Sequence, residues 1–133
     1  MRNQEWLENK LEQIWELLFS EVPRLNKIVI KFRGKSKYRF GHIKLKDKDT
    51  HIVINSLFQH ELIPEFVIDT TIAHELVHYM HGFNSPLPQK YRYPHQGNIV
   101  NKELVKKGFA SQLKQEKKWI KENWLKVYNE IKS

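Results

Sequence analysis

The sequence predicts an α+β fold: a small antiparallel three-stranded sheet packed on one buried helix, with amphipathic helices at the N- and C-terminal ends. Residues 28–55 hold three short apolar runs separated by turn-forming residues, the pattern of strands. Residues 64–82 are apolar-rich, opened by Pro64 and closed by Gly82, as in a helix with most of its circumference buried. Residues 3–20 and 111–133 repeat apolar side chains at intervals of three and four, the period of helices that bury one face. A chain of 133 residues fits one core, and a single domain over 1–133 is expected.

In the first helix Trp6, Leu7, Leu11, Ile14, Trp15, Leu18 and Phe19 form the apolar face, with Glu8, Glu12 and Glu16 outside. Pro23 marks its end. Ile28, Ile30 and Phe32 alternate with Val29 and Lys31 in the first strand. After a turn at 34–37, the second strand spans 38–46. Its apolar positions slip from even (Tyr38, Phe40) to odd (Ile43, Leu45) at Gly41, as a bulge would produce. A turn at 47–49 leads to the third strand, 50–55. Beyond the buried helix, residues 83–94 contain Pro86, Pro88 and Pro94 and read as an ordered loop, followed by a helix over 95–107 closed by Gly108. In the last helix Trp119, Ile120, Trp124, Val127, Tyr128 and Ile131 share one face, surrounded by Lys114, Lys117, Lys118, Lys121 and Lys126.

Composition narrows the chemistry. There is no cysteine, so disulfides, thiolate nucleophiles and zinc ribbons are excluded, and any zinc must be held by histidine and carboxylate. The first ten residues are polar and charged, and no apolar run reaches membrane-spanning length; a cytoplasmic protein without a membrane partner is expected. A net charge of +8 and a pI near 9.6 point to acidic partners, with nucleic acid the commonest. The lysines of the C-terminal helix are the expected place for DNA contacts.

The chemistry centres on His74-Glu75-Leu76-Val77-His78. Residues four apart on a helix lie one turn above each other, so His74 and His78 present two imidazoles to one point, half of a tetrahedral zinc site. Glu75 lies about 100° round the helix from His74, suited to reach a water there and act as general base. In a helix otherwise apolar, two imidazoles and a carboxylate are costly to bury unless something satisfies them, and a metal does so. A catalytic zinc needs a third protein ligand. His95, at the start of the next helix, and Glu103, further along it, are the two candidates; about 80° out of register, only one of them faces the metal. His42, His51 and His60 read as surface or packing residues, and His81 as a solvated histidine favoured by the helix dipole. Tyr91 and Tyr93 read as loop packing.

Over residues 38–109 the chain resembles the SprT-like metallopeptidases, zincins related to the Spartan-type proteases that act on DNA–protein crosslinks. The residues concerned are a strand into Ile54-Asn-Ser-Leu57, then Thr71-Ile-Ala-His-Glu-Leu-Val-His78, the late histidine of His95-Gln-Gly97, and Gly108-Phe109 ending the following helix. The resemblance implies a zincin-like fold, one Zn2+ ion bound by His74, His78 and His95, and Glu75 as catalytic base. The expected function is that of a monomeric zinc-dependent metalloendopeptidase hydrolysing peptide bonds of DNA-associated or unfolded proteins. The alternatives are a minimal gluzincin with Glu103 as third ligand, a non-catalytic zinc-stabilised nucleic-acid-binding module, and a scaffold with a vestigial site.

Overall fold

A computed structural model describes residues 1–132. Helix α1 (Gln4–Leu18) begins at Asn3, whose side chain accepts a hydrogen bond from the Trp6 amide at 2.8 Å and so satisfies one of the free N–H groups of the first turn. Its Leu7, Leu11, Ile14, Trp15 and Leu18 are buried, as their spacing requires. One charge goes in with them. Lys10 is buried and bridges Glu65 at 2.6 Å and Asp69 at 3.0 Å, both on the central helix. Burial works against the ammonium, yet the two hydrogen-bonded carboxylates raise its pKa above the ordinary lysine value. Burial raises that of Asp69, with Lys10 drawing it part of the way down. Lys10→Met therefore leaves a half-buried carboxylate without its cation. We expect it to cost about 1–3 kcal/mol at neutral pH and less near about pH 3, where Asp69, whose pKa burial raises, has taken up its proton. Urea denaturation at the two pH values measures the difference.

The sheet comprises β1 (Ile28–Phe32), β2 (Gly41–Lys46) and β3 (Asp49–Ile54) in the order β1-β3-β2. It is mixed, which corrects the expectation of a wholly antiparallel sheet: β2 and β3 pair antiparallel, whereas β1 and β3 pair parallel, Ile30 opposite Ile52. β3 supplies Ile52, Val53 and Ile54, all buried, and a strand apolar on both faces takes the centre. β2 and β3 join through Asp47 and Lys48, both at positive φ. The longer segment 33–40 carries the chain past the place of β3, so the first two strands are not neighbours.

The phase slip at Gly41 is the start of β2, not a bulge within a strand over 38–46. Asn55 Nδ2 donates to the carbonyls of Ser36 and Arg39, which ties residues 36–39 away from the ladder. Phe40 instead packs edge-on to Phe58 and Trp124, at ring separations of 5.0 and 4.9 Å. Gly41 then passes close over the central helix. A Cβ on it would stand 2.8 Å from Thr71 Cγ2 and 3.1 Å from the Val53 carbonyl oxygen. The missing side chain is what brings this strand down onto the helix that carries the histidines.

That central helix, α2 (Glu65–Met80), packs against α1, β2, β3 and the later helices. Ile68, Ile72, Leu76 and Val77 are buried, each side chain contributing about 1.5–3 kcal/mol. This outlay of apolar burial offsets the polar groups on the same helix. Its end is a Schellman motif: Phe83 N–H bonds the His78 carbonyl at 2.9 Å and Gly82 N–H that of Tyr79 at 3.1 Å. Gly82 sits at φ +85, and a Cβ there would meet the Pro88 carbonyl at 2.4 Å, so the following loop folds back tightly at a residue that only glycine fits.

The helix expected over 95–107 is shorter. Gly97 and Asn98 both take positive φ, breaking the path into a 3-10 turn (Gln96–Asn98) and α3 (Ile99–Lys106). The tail, expected as one helix over 111–133, is α4 (Ala110–Trp119), a π-helical turn (Ile120–Trp124) and α5 (Leu125–Lys132); Ser133 lies outside the described residues. The π turn sets Trp124 inward, where its Nε1–H donates to the Lys37 carbonyl at 2.8 Å. No helix among the described residues is long and apolar enough to cross a membrane.

Candidate metal centre

α2 directs His74 and His78 from one stripe, and the chain returns through residues 83–94 to set His95 against them. The three Nε2 atoms form a nearly equilateral triangle: 3.1 Å from His78 to His74, 3.1 Å from His78 to His95 and 3.2 Å from His74 to His95. Hydrogen bonds alone cannot satisfy this triangle. Each neutral imidazole has one N–H, and three nitrogens aimed at one point leave at least one pair with lone pair facing lone pair or proton facing proton. A cation at the centre uses all three lone pairs. Zinc–nitrogen bonds of about 2.0–2.1 Å in a tetrahedron place the nitrogens about 3.3–3.4 Å apart, close to the spacing found. The donor set therefore fits such an ion, and His74, His78 and His95 are the group able to hold one among the described residues.

The rings are already in the ligating form. Burial, with the charge of His95 a smaller cause, lowers the His74 pKa to about 4. Burial and the three neighbouring histidines lower that of His78 to about 3. Both are neutral at pH 7, as metal ligation requires. His78 is 4% exposed and Phe83 meets its ring edge-on at 6.2 Å. Its buried Nδ1 has no hydrogen-bond partner among the described residues. His95 lies on the surface, ahead of the short turn that Gln96 ties down by accepting from the Tyr93 amide at 2.9 Å.

Glu75 is 5% exposed and lines the same space. Burial pushes its pKa up to about 8, with the Arg39 guanidinium pulling the other way. A cation held by the three rings would favour the carboxylate further. Two clefts meet here. One, of about 430 Å³, runs past His78, Phe83 and His95 and is walled by Gly41, His42 and Ile43 of the edge strand β2. The other, of about 370 Å³, runs towards α4. Arg39, Gly41, His74 and Glu75 are common to both.

The chain matches no family model, no curated protein and no solved structure. The α+β fold and its three-histidine cluster, capable of metal coordination, are consistent with a zincin-like arrangement.

Glu103, the alternative third ligand, is not in the cluster; its carboxylate lies 3.8 Å from His81 Nε2. His81 is 2% exposed and meets Tyr91 edge-on, which corrects the expectation of a solvated histidine. Tyr91 and Tyr93 line neither cleft. His60 accepts from the Leu62 amide and His42 and His51 stay on the sheet, none of them with the three. Arg39 was not foreseen, because its place beside Glu75 depends on β2 crossing α2 and no spacing signals that. A second basic run precedes the central helix. Residues 31–46 carry seven lysines and arginines and no acid, and no carboxylate among the described residues pairs with any of the seven. In the C-terminal helix, by contrast, Glu116, Glu122 and Glu130 interleave with the lysines.

Proposed function

We propose that the protein is a single-domain zinc-dependent metalloendopeptidase of SprT-like character, with His74, His78 and His95 as ligands and Glu75 as general base. The observation that carries this is the triangle of Nε2 atoms at 3.1–3.2 Å with the buried Glu75 carboxylate lining the same cleft. When bound, zinc at such a centre lowers the pKa of a water toward about 7 and polarises a peptide carbonyl. Glu75 takes a proton from water and passes it to the leaving amine. The Arg39 guanidinium, across from it, offsets negative charge developing on the carbonyl oxygen. β2 is an edge strand, and an extended peptide adding to it is held by main-chain hydrogen bonds alongside the histidines.

The test is metal analysis of protein purified without chelator, combined with cleavage of an unfolded substrate such as casein. One zinc per chain is expected, with cleavage lost on chelation and restored by zinc; bound zinc with no turnover of any unfolded protein would reject the peptidase. The cations of residues 31–46, which form no ion pair among the described residues, favour a second reading, in which the same face contacts nucleic acid, either to bring in DNA-associated substrates or as the whole function. Converting Arg33, Lys35 and Lys37 together to glutamine is then expected to flatten the salt dependence of DNA binding by about 2–3 in log–log slope, each phosphate contact contributing about 0.9. The same change at Lys117, Lys118 and Lys121 is expected to do less.

A further inference from the structure

We infer that Glu116 selects substrates carrying a lysine or arginine side chain next to the cleaved bond. This deepens the peptidase reading and rests on it. The cleft of about 370 Å³ starts at His74 and Glu75 and ends against α4, where Glu116 enters it. Between those ends Phe40, Leu104, Leu113 and Ile120, with the Tyr38 ring, supply an apolar part of a wall that also carries polar groups. That apolar part suits the methylene stem of a long basic side chain, whose charged head then lies at the far end.

At that end stands a carboxyl with no cation. Glu116 forms no ion pair among the described residues, although Lys114, Lys117 and Lys118 share its helix; those three are exposed. Among the described residues its carboxyl accepts from the Thr70 hydroxyl. Thr70 has one proton to give and also faces the Val67 carbonyl, at 3.0 Å. That single proton is therefore shared between two acceptors; burial raises the pKa of the Glu116 carboxyl and the Thr70 hydroxyl lowers it. An ammonium or guanidinium arriving in the cleft favours the ionised carboxylate and pairs with it.

The cleft is also polarised. Arg39 lines the junction of the two clefts and Glu116 lines the α4 end of one of them. A substrate cation is disfavoured beside the Arg39 guanidinium and favoured beside the Glu116 carboxylate. For packing alone, glutamine or leucine at 116 fills this place without the cost of desolvating a carboxylate. A desolvated carboxylate that meets a substrate charge, by contrast, discriminates strongly against substrates lacking it.

The test compares zinc-loaded wild type and Glu116→Gln on paired peptides that differ only in lysine or norleucine at positions flanking the cleavable bond. At one position, wild type is expected to cleave the lysine peptide about tenfold or more faster in kcat/KM, equivalent to about 1.4 kcal/mol, with the ratio falling towards one in Glu116→Gln. Zinc content and thermal unfolding confirm that the variant folds. Calorimetric binding of the same peptides to Glu75→Gln, with and without Glu116→Gln, gives a readout apart from turnover. A wild-type ratio near one, or a ratio that survives Glu116→Gln, overturns the proposal and leaves the peptidase standing. Selective binding of the lysine peptide with no cleavage by wild type overturns the peptidase and keeps the cleft. Neither binding nor cleavage overturns both.

Discussion

Replacing Glu75 by glutamine is expected to lower kcat for peptide cleavage by about 10²–10⁴-fold, the usual contribution of a positioned general base, while one zinc per chain is still taken up. Glutamine keeps the volume and much of the polarity of a side chain that is 5% exposed, so packing around Ile72 and Leu76 is preserved. What it removes is the ability to accept and return a proton. The metal-free protein supplies a second signature. Burial holds the Glu75 pKa at about 8 in the fold, against an ordinary 4.5. Between those values the folded chain binds more protons than the unfolded one, so stability falls as pH rises through the window. Stability from this group is fully present below 4.5 and lost by the time pH passes about 8. Glu75→Gln removes this slope. Urea denaturation in chelator from pH 5 to 8 is therefore expected to show wild type losing stability relative to the variant; parallel curves would mean that the carboxylate is not desolvated as the structure has it.

The second large effect is loss of the metal. His78→Ala and His95→Ala are each expected to weaken zinc binding by more than about 100-fold, exceeding the loss on removing an outer-shell partner of a ligand. They differ in what else they cost. His95 is exposed, and its replacement is expected to leave the metal-free protein within about 0.5 kcal/mol of wild type. His78 is buried between α2 and the folded-back loop, and truncation there also opens a cavity. Zinc in excess stabilises wild type by about 4 kcal/mol at a thousand times its dissociation constant, and at the same zinc concentration this increment is expected to fall to about 1.4 kcal/mol or less in both variants. Glu103→Gln is expected to retain it. Thermal unfolding with and without zinc separates the three.

What the sequence revealed and what it hid divide along sequence separation. α1, α2 and the convergence of His74 with His78 follow from spacing within a single helix, and the structure has them where the periodicity puts them. The stop at Gly82 was legible for the same reason, since the Schellman motif spans only six residues. The sheet was not. Placing β3 between β1 and β2 depends on which strand is apolar on both faces and on how 33–40 crosses over, and alternation within one strand contains neither. Gly41 gave a true signal with two readings, because a phase slip at glycine marks a bulge or a close approach equally well, and only the distance to Thr71 decides. His81 read as solvated because the helix ends at that point, whereas the loop from Phe83 onward folds back and buries it. Arg39 and Glu116 enter the clefts from elements distant in sequence from α2, and no local pattern points to either.

The most direct test of the three-imidazole centre is X-ray absorption at the zinc edge on protein loaded with one equivalent of zinc. The expected result is a first shell of three nitrogen scatterers at about 2.0–2.1 Å with imidazole multiple scattering, plus one oxygen, and a fall to two imidazoles in His95→Ala. A shell with two imidazoles in wild type, or one whose carboxylate oxygen disappears in Glu103→Gln, would contradict the assignment of His95 and with it the open catalytic position that Glu75 is proposed to serve.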